Sequence, residues 1–287
     1  MPKVKFGLLW SPSTSYLDLR ASAMYYENQG IDSLWMSDHM VKTFKPDAPY
    51  RDSVTLLSAL AEVTQKAYLG NLVMSNTFRH PAVLVRQLLA LDEISRGRLI
   101  VGIGAGWYQA EHQIFGIPYP KRPISMLDSS LRIITTLLRN EATQRLEVDG
   151  YLPIQHAIVR PRPIKQPPIM VGGHGKLVIQ VAAQHADMWN SFGTPEEMRE
   201  RVTFLNECLE DIDRDPASVE KSLYVWRGMV PWGGGDPFSS VYSFEKTLDE
   251  YSLCGLDGII FDAPKLHQME TFQRCRPLMT TWNPTSI

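Results

Sequence analysis

The sequence predicts an α/β protein whose eight parallel strands close into a (β/α)8 TIM barrel. Short apolar runs of strand character recur eight times along the chain, and stretches of helical periodicity lie between them. Several of the runs are too apolar to face water on either side, which is typical of a parallel sheet covered by helices. Eight such units in about 250 residues fit a closed barrel better than an open doubly wound sheet.

The strand predictions follow from runs of β-branched, aromatic and aliphatic residues, which end at glycine or polar residues. They cover residues 4–10, 31–37, 67–75, 98–104, 167–173, 186–192, 222–230 and 256–262. Two intervening helices are predicted over 123–139 and 195–212, because each has one apolar stripe and begins at a proline. Residues 145–167 interrupt the pattern, and Asp149-Gly150 within them predicts a hairpin-like insertion before the fifth strand.

Composition narrows the function classes. The chain has 287 residues, 44% of them hydrophobic, and no linker or repeat divides it, so a single domain over 1–287 is expected. A net charge of -2 leaves no broad positive field for nucleic acid or an anionic membrane surface. We therefore expect a small-molecule substrate, and neither nucleic acid nor a membrane as partner.

Cysteine and histidine usage argues against disulfides and metals. Three cysteines, none in Cys-x-x-Cys spacing, suggest neither a disulfide framework nor a zinc site, and a cytoplasmic location is expected. The apolar stretch 6–10 is too short for a signal peptide or a membrane span. The seven histidines are scattered through the sequence, so no metal site is expected.

Three glycines at alternate positions follow the predicted fourth strand, in VGIGAGWYQAEHQIFG (101–116). A dinucleotide fingerprint has Gly-x-Gly-x-x-Gly after the first strand of its unit. Here the position of its last glycine is Trp107, so that interpretation is weak. At a barrel mouth the same glycines would admit a flat ligand, with Trp107 or Tyr108 as a wall. The alternative is a tight strand-to-helix turn with core aromatic residues.

Polar residues follow the second and third strands. Asp38 and His39 would orient an imidazole for proton transfer or for a hydrogen bond to a bound ring. Alternatively, Asp38 caps a helix and His39 is merely nearby. Ser75, Asn76 and Thr77 supply small donors and acceptors suited to an amide-bearing heterocycle. The alternative for these three is a turn and cap before the next helix.

The fifth and sixth strands also end in candidate binding residues. Gly172, Gly173 and His174 precede a helix that opens near Lys176. Backbone amides at a helix N-terminus, together with a lysine, form a phosphate site, although Gly-Gly turns also occur without ligands. Asn190 is polar enough to reach the same cavity. A phosphate turn and glycines that admit a flat ring together suggest a nucleotide-like redox cofactor.

Glu111 and His112 fall on the first turns of the next helix, where they would act as acid and base. Their alternative is to face solvent and complement the helix dipole. No Ser-His-Asp order or Walker loop is present in the sequence.

Several motifs, in their order along the chain, resemble the bacterial luciferase-like superfamily. Within it they most resemble the predicted deazaflavin-dependent (coenzyme F420) oxidoreductases, and the resemblance extends to about residue 220. The motifs are SLWMSDH (33–39), LGNLVMSNTFRHPAVL (69–84), LDEISRGRLIVGIGAGWYQAEHQIFGIPYP (91–120), PPIMVGG (167–173) and ADMWNSFGTPEE (186–197).

The resemblance implies a (β/α)8 barrel, coenzyme F420 as cofactor and a homodimer. It places His39 beside the cofactor ring near the reacting carbon, and Asp38 in contact with the cofactor. It also implies a non-prolyl cis peptide bond near Leu72-Val73, forming a bulge behind the ring. The other residues implied to line the ring or bind its phosphate are Ser75, Gly104, Ala105, Gly106, Tyr108, Gly172 and Gly173.

Two positions depart from well-studied deazaflavin dehydrogenases. A tryptophan four residues after the histidine is Thr43 here, and an acid after the second glycine of the fourth-strand motif is Ala105. Proton delivery then falls to His39, Glu111 or a water. The resemblance implies hydride transfer between F420 and a small organic substrate. An FMN-dependent monooxygenase that uses O₂ and a non-catalytic flavin-binding protein are the alternatives.

Loops build the substrate pockets of barrels, so the sequence does not name the substrate. The segments 40–52, 145–166 and 231–240 have the least recognisable pattern. Residues 231–236 are interpreted as a flap over the pocket or a plain connection.

Overall fold

A ring of parallel strands surrounds a filled interior in the computed structural model, which describes residues 5–227 and 235–282. The strands are β1 (Phe6–Trp10), β2 (Ser33–Met36), β3 (Tyr68–Asn71), β4 (Met74–Ser75), β5 (Leu99–Gly104), β6 (Ala142–Leu146), β7 (Ile154–Ile158), β8 (Ile169–Gly172), β9 (Met188–Ser191), β10 (Glu220–Val225) and β11 (Gly258–Asp262). Nine of them form one sheet in the order β3-β2-β1-β11-β10-β9-β8-β5-β4, and β3 also pairs with β5. This extra pairing closes the barrel, in which β3 and β4 together form one of the eight staves.

Helices surround the ring. They are α1 (Tyr16–Asn28), α2 (Ser53–Val63), α3 (Pro81–Ser95), α4 (Gln109–Phe115), α5 (Pro123–Arg139), α6 (Lys176–His185), α7 (Pro195–Glu210), α8 (Val241–Tyr251) and α9 (Met269–Thr281). The start of α7 shows why the sequence folds this way: Thr194 and Glu197 form a reciprocal capping box around Pro195. No helix within the described ranges is long and apolar enough to cross a bilayer.

The predicted barrel and its eight staves are confirmed, with changes at some boundaries. A cis peptide bond at Leu72-Val73 separates β3 from β4, where the sequence predicted one strand. The seventh stave begins at Glu220, two residues early, and α7 ends at Glu210, two residues before the predicted end. The hairpin insertion is formed by β6 and β7, so it begins at Ala142 rather than at residue 145.

The barrel interior is packed with side chains and is not a pore. Six buried residues from alternate positions of the staves fill it: Leu9, Trp35, Ile100, Met170, Met188 and Ile260. Leu72 and Tyr224, which are only partly buried, pack against this inner core near the carboxyl ends of their strands. A ligand at the mouth would therefore rest above Leu72 and Tyr224.

Candidate active site

His39 and Glu111 form a hydrogen-bonded pair at the barrel mouth. His39 lies in the loop after β2, and its Nδ1 is 3.0 Å from Oε1 of Glu111, which lies on α4. The Glu111 side chain is 3% exposed and that of His39 is 19% exposed. The alternative that Glu111 and His112 face solvent is therefore wrong, since both residues are buried.

Both oxygens of the Glu111 carboxylate are used. Oε1 bonds to His39, while Oε2 accepts the backbone N–H of Met40 at 2.7 Å. A carboxylate accepts hydrogen bonds, so Nδ1 of His39 carries the proton and Nε2 is the ring's open nitrogen. Nε2 makes no hydrogen bond to any described residue. This geometry leaves an oriented imidazole nitrogen for a ligand.

Aromatic residues surround the His39 ring. The ring centroids of Trp107 and Tyr108 lie 5.9 and 6.4 Å from that of His39, both edge-on. Phe44 approaches both of these rings from the loop after β2. Trp107 is 63% exposed, so it is not a core residue, and the alternative of core aromatic residues is wrong for it. The predicted wall of the pocket therefore fits Trp107 and Tyr108.

Asp38 is buried beneath the loop and holds its neighbours in place. Its Oδ1 accepts the Ser53 hydroxyl at 2.6 Å, and its Oδ2 accepts the backbone N–H of Ser75 at 3.0 Å. Arg79 donates to both oxygens, at 2.7 and 3.1 Å. Asp52, and not Asp38, is the N-cap of α2, so the helix-cap alternative for Asp38 is wrong. Contact between Asp38 and a cofactor stays a prediction, and every bond described here is to the protein.

Arg79 links two acids that flank the loop after β2. It donates to Asp52 at 2.8 Å in addition to Asp38. Burial alone would lower the pKa of Arg79, but its bonds to Asp38 and Asp52 outweigh this effect and raise it. Burial likewise acts to raise the pKa of Asp52, while bonds from Thr55 and Arg79 bring it below its usual value. The loop that carries His39 is thus fixed at both ends by one guanidinium.

Tyr50, from the same loop, reaches back into the mouth. Its hydroxyl lies 2.9 Å from Oγ of Ser37, the last residue before Asp38. Burial is the main cause that raises the pKa of Tyr50 to about 12, and the nearby carboxylates of Asp38 and Glu111 act in the same direction. Tyr50 therefore presents a neutral hydroxyl at physiological pH.

A buried polar chain runs from β4 to α4. The Ser75 hydroxyl is 2.9 Å from that of Thr77, which is 2.8 Å from Nε2 of His112. The alternative of a turn and cap is half right: residues 76–77 form a turn, in which the Phe78 N–H is donated to the Ser75 carbonyl at 3.4 Å, but the cap of α3 is His80. Nδ2 of Asn76 is buried and makes no well-aligned hydrogen bond within the described ranges, although the Asn76 side chain lies close enough to the Tyr151 hydroxyl to oppose the rise that burial causes in the pKa of Tyr151. A buried amide donor that is poorly satisfied at a strand end fits a binding role for Asn76.

Three glycines, two on β5 and one on β8, serve a purpose that the sequence did not reveal. A Cβ at Gly104 would lie 2.7 Å from Cγ2 of Val73, and one at Gly172 would lie 2.7 Å from its Cγ1. A Cβ at Gly102 would lie 1.9 Å from the backbone oxygen of Asn71. These three glycines thus make room for the bulge at Leu72-Val73. Contact between a flat ligand and Gly102 or Gly104, and phosphate binding at Gly172, stay predictions.

Gly106 adopts φ +77, and a Cβ there would lie 2.6 Å from the Ser75 hydroxyl. Its neighbour Ala105 is half-buried and packs against the core that lies between the strands and the surrounding helices. Tyr108 stands at the N-cap position of α4 without a side-chain capping bond. The residues predicted to line a ring are thus brought to one edge of the mouth, between β4 and α4.

The turn after β8 leaves backbone amides free. The N–H of Gly173 is donated to the Asn190 carbonyl at 3.0 Å, so it is already in use. The N–H groups of Gly175, Lys176 and Leu177 bond to no described residue, as is usual at the start of a helix. A Cβ at Gly175 would meet nothing within 4 Å, so the space beside this residue is open. The amides suited to a phosphate therefore lie slightly beyond the predicted Gly172-Gly173 pair.

Other predicted residues near this turn make protein contacts. The Asn190 amide donates to the Ser222 hydroxyl at 3.0 Å. His174 is exposed, and its ring lies 4.9 Å from that of Phe192. Lys176 lies over the Phe204 ring, at 5.5 Å from its centroid. Within the described ranges no group of three or more acids, cysteines or histidines is placed to hold a metal ion.

Of the segments without a recognisable sequence pattern, the structure describes 40–52 in full and 231–240 only in part. Residues 40–52 form the loop that carries Phe44, which packs against Trp107 and Tyr108, as well as Tyr50 and Asp52. The predicted flap at 231–236 lies mostly outside the described residues. Beyond it, Pro237–Ser239 is a 3-10 turn with Phe238 buried in the core, so this end of the segment is not a loose connection.

Sequence reasoning missed Arg79 and Tyr50. Arg79 stands in the quoted run Phe-Arg-His-Pro, but its acidic partners lie 41 and 27 residues away. Tyr50 lies in a loop without periodicity, so no pattern indicated that it points inward.

The chain is similar in sequence to known proteins. The family model described as luciferase-like monooxygenase matches residues 6–226. An F420-dependent glucose-6-phosphate dehydrogenase of Kineococcus radiotolerans is 31% identical over 210 residues, which are 71% of this chain and 61% of the relative. A 5,10-methylenetetrahydromethanopterin reductase of Methanolobus tindarius is 26% identical over 77% of this chain and 64% of the relative. The chain thus spans less than two-thirds of the length of these relatives.

Solved structures share the fold along nearly the whole chain. An F420-dependent secondary alcohol dehydrogenase in complex with an F420-acetone adduct superposes with a TM-score of 0.84 at 17% identity, covering 96% of this chain and 99% of that one. The oxygenating constituent of 3,6-diketocamphane monooxygenase from Pseudomonas putida, in complex with FMN, gives 0.76 at 16% identity, covering 98% of each chain. At these identities the likeness shows the fold alone.

Proposed function

The chain belongs to the luciferase-like monooxygenase family, and on that premise we propose that it is an oxidoreductase that passes a hydride between coenzyme F420 and a small organic substrate. The observation that carries the proposal is the His39–Glu111 pair, with its open Nε2, at the mouth of the barrel. Relatives named as F420-dependent dehydrogenases support the choice of cofactor.

The mouth divides into two parts around the ring of strands. The residues proposed to hold the deazaflavin lie on four neighbouring staves: Leu72, Val73, Ser75 and Asn76 on the β3–β4 stave, residues 104–108 after β5, Gly172 to His174 after β8, and Asn190 on β9. His39 follows β2, at the boundary of this part. The remaining staves β1, β11 and β10 leave the other part for substrate.

Two observations support placing the cofactor over the β3–β4, β5, β8 and β9 staves. The free amides of residues 175–177 and the open space at Gly175 suit a phosphate. The poorly satisfied Asn76 amide and the partly exposed Leu72 suit a ring that carries both polar and apolar edges. We assign phosphate binding to the turn at 172–177 and the ring contacts to the β4–β5 side.

A bound deazaflavin supplies hydride chemistry at its central ring. Each hydride that reaches or leaves the substrate requires a proton to move as well, and Nε2 of His39 is placed to carry it. The Glu111 carboxylate holds the imidazole in one tautomer and stabilises it when it is protonated. Trp107 and Tyr108 limit the access of water to the His39 ring.

Titration of the purified apo-protein with F420 and, separately, with FMN tests the assignment, with ligand fluorescence as the readout. We expect micromolar or tighter binding of F420, equivalent to about -8 kcal/mol, and weaker binding of FMN. Selective FMN binding together with oxygen consumption would move the protein to the monooxygenase class. Binding without turnover of any alcohol, imine or enone would support a flavin-binding protein without activity. We also propose a homodimer in the cytoplasm, in keeping with the resemblance.

A further inference from the structure

A second feature of the mouth is an open cavity of about 290 Å³ beside the His39 loop. It is lined by the ends of β1, β10 and β11 and by Lys42 from the loop after β2. These are the staves that the proposed cofactor residues leave free, and Lys42 is three residues from His39. A cavity of this size is at the lower end for small-molecule sites, so its occupant has few carbon atoms.

Hydroxyl groups line one wall of this cavity. Ser11, Ser13 and Thr14 follow β1. The hydroxyls of Ser11 and Ser13 lie 2.9 Å apart, and Oγ of Ser11 also accepts the N–H of Ser13. The Thr14 hydroxyl bonds to no residue within the described ranges. The wall therefore offers one hydroxyl that the protein does not use, that of Thr14, beside the bonded pair of serines.

Most charges in the cavity are already paired. Nε of Arg227 lies 2.9 Å from Oδ2 of Asp236, and its Nη2 donates to the Ala263 carbonyl. Asp262 accepts the Tyr224 hydroxyl at 2.8 Å on one oxygen and the backbone N–H of Arg227 at 3.0 Å on the other. Two acids and one arginine leave one negative charge, on Asp262, which the Lys42 ammonium group offsets across the cavity.

Lys42 is the exception among the charged groups that line the cavity. It is half-buried, and its Nζ forms no ion pair with any acid in the described part of the chain. Residues 1–4, 228–234 and 283–287 contain no Asp or Glu, so those segments offer no acidic side chain either. A half-buried ammonium group that forms no ion pair, next to the Thr14 hydroxyl, is suited to an oxyanion.

We propose that the substrate carries a carboxylate or phosphate group, and that Lys42 binds this oxyanion together with the hydroxyl of Thr14. The inference rests on the proposed function, because it takes the other part of the mouth as the cofactor site. Held in this way, a small anionic carbonyl compound or alcohol has its reacting carbon directed toward His39. Lys42 thereby determines specificity and does not itself take part in the proton transfer.

Binding of matched probe pairs to the full-length protein tests this inference. The pairs are levulinate with methyl levulinate, and dihydroxyacetone phosphate with dihydroxyacetone, measured by calorimetry with and without F420. We expect the anion of at least one pair to bind about tenfold more tightly than its neutral partner. The pair that shows the preference identifies carboxylate or phosphate as the source.

Lys42→Gln should remove the preference, while Lys45→Gln, at an exposed position of the same loop, should keep it. Neutral and anionic probes that bind equally to the wild type would overturn the inference, as would a preference that survives Lys42→Gln. F420 titration of the same variants separates the two proposals. Normal F420 binding without an anion preference contradicts the substrate class alone, whereas absent F420 binding contradicts the cofactor assignment.

Discussion

His39 and Glu111 lie 72 residues apart in sequence, yet Nδ1 of one is 3.0 Å from Oε1 of the other. The barrel makes this pairing possible, because the loops after β2 and β5 meet at the carboxyl ends of their strands. Glu111 also accepts the Met40 amide, so one carboxylate fixes both the imidazole and the backbone beside it.

Glu111→Gln should lower kcat by roughly 10 to 100-fold, because a hydrogen bond from a charged group contributes about 1.5–3 kcal/mol. F420 affinity should change less than threefold, since Glu111 bonds to His39 and Met40. His39→Ala is the reference and should lower kcat by at least ~100-fold. Steady-state kinetics alongside F420 titration measure both quantities. Equal losses of kcat and F420 affinity in Glu111→Gln would indicate a disrupted mouth instead of a positioning role.

Arg79→Met should reduce the free energy of unfolding by about 3 kcal/mol, since it leaves the buried Asp38 carboxylate without its cationic partner. Urea denaturation monitored by circular dichroism measures the change. Arg145→Met is the matched control, because the Arg145–Glu147 pair is exposed and should contribute below ~1 kcal/mol. Asp38→Asn added to Arg79→Met should recover part of the loss. Similar effects of the two arginine variants would contradict the anchoring role of Arg79.

Gly104→Ala should cost about 1–3 kcal/mol of stability, because the new Cβ would lie 2.7 Å from Cγ2 of Val73 and 3.2 Å from the Gly172 oxygen. Val73→Ala added to it should relieve part of the clash, which the thermal midpoints of the single and double variants would reveal. Gly175→Ala is the control, since a Cβ there meets nothing within 4 Å. A Gly104→Ala protein as stable as the wild type would show that the bulge does not require this glycine.

Tyr50 should ionise near pH 12, not near 10, the usual pKa of a tyrosine, mainly because it is buried. A raised folded pKa means that its stabilisation is complete below pH 10 and is lost as the pH rises through about 12. The difference in absorbance at about 295 nm between the wild type and Tyr50→Phe follows this ionisation directly. A difference transition centred near pH 10 would mean that Tyr50 is exposed to solvent.

The barrel was predictable because its signals are local. Seven of the eight apolar runs contain an observed stave and the eighth overlaps one, and the proline that starts α5 or α7 lies where the sequence places it. The cis peptide bond at Leu72-Val73 was implied by resemblance and is present. The predicted strand boundaries were wrong where strand pairing determines them. Glu220, for example, joins the sheet because it pairs with Met188.

The site was predictable residue by residue but not as an arrangement. His39 and Glu111 were each singled out, although no local pattern states that they bond. Arg79 was missed, because its role depends on Asp38 and Asp52 from a different loop. The purpose of Gly104 was missed, because the atom it avoids belongs to Val73 on the neighbouring stave. Such contacts arise only when the barrel closes.

A crystal structure of the protein with F420 tests the central claim most directly. The account predicts that the phosphate lies on the free amides of residues 175–177 and that the reacting carbon of the ring faces Nε2 of His39. The ring should rest over Leu72, leaving the cavity beside Lys42 open for substrate. A phosphate bound elsewhere, or a ring that turns its reacting carbon away from His39, would contradict the account.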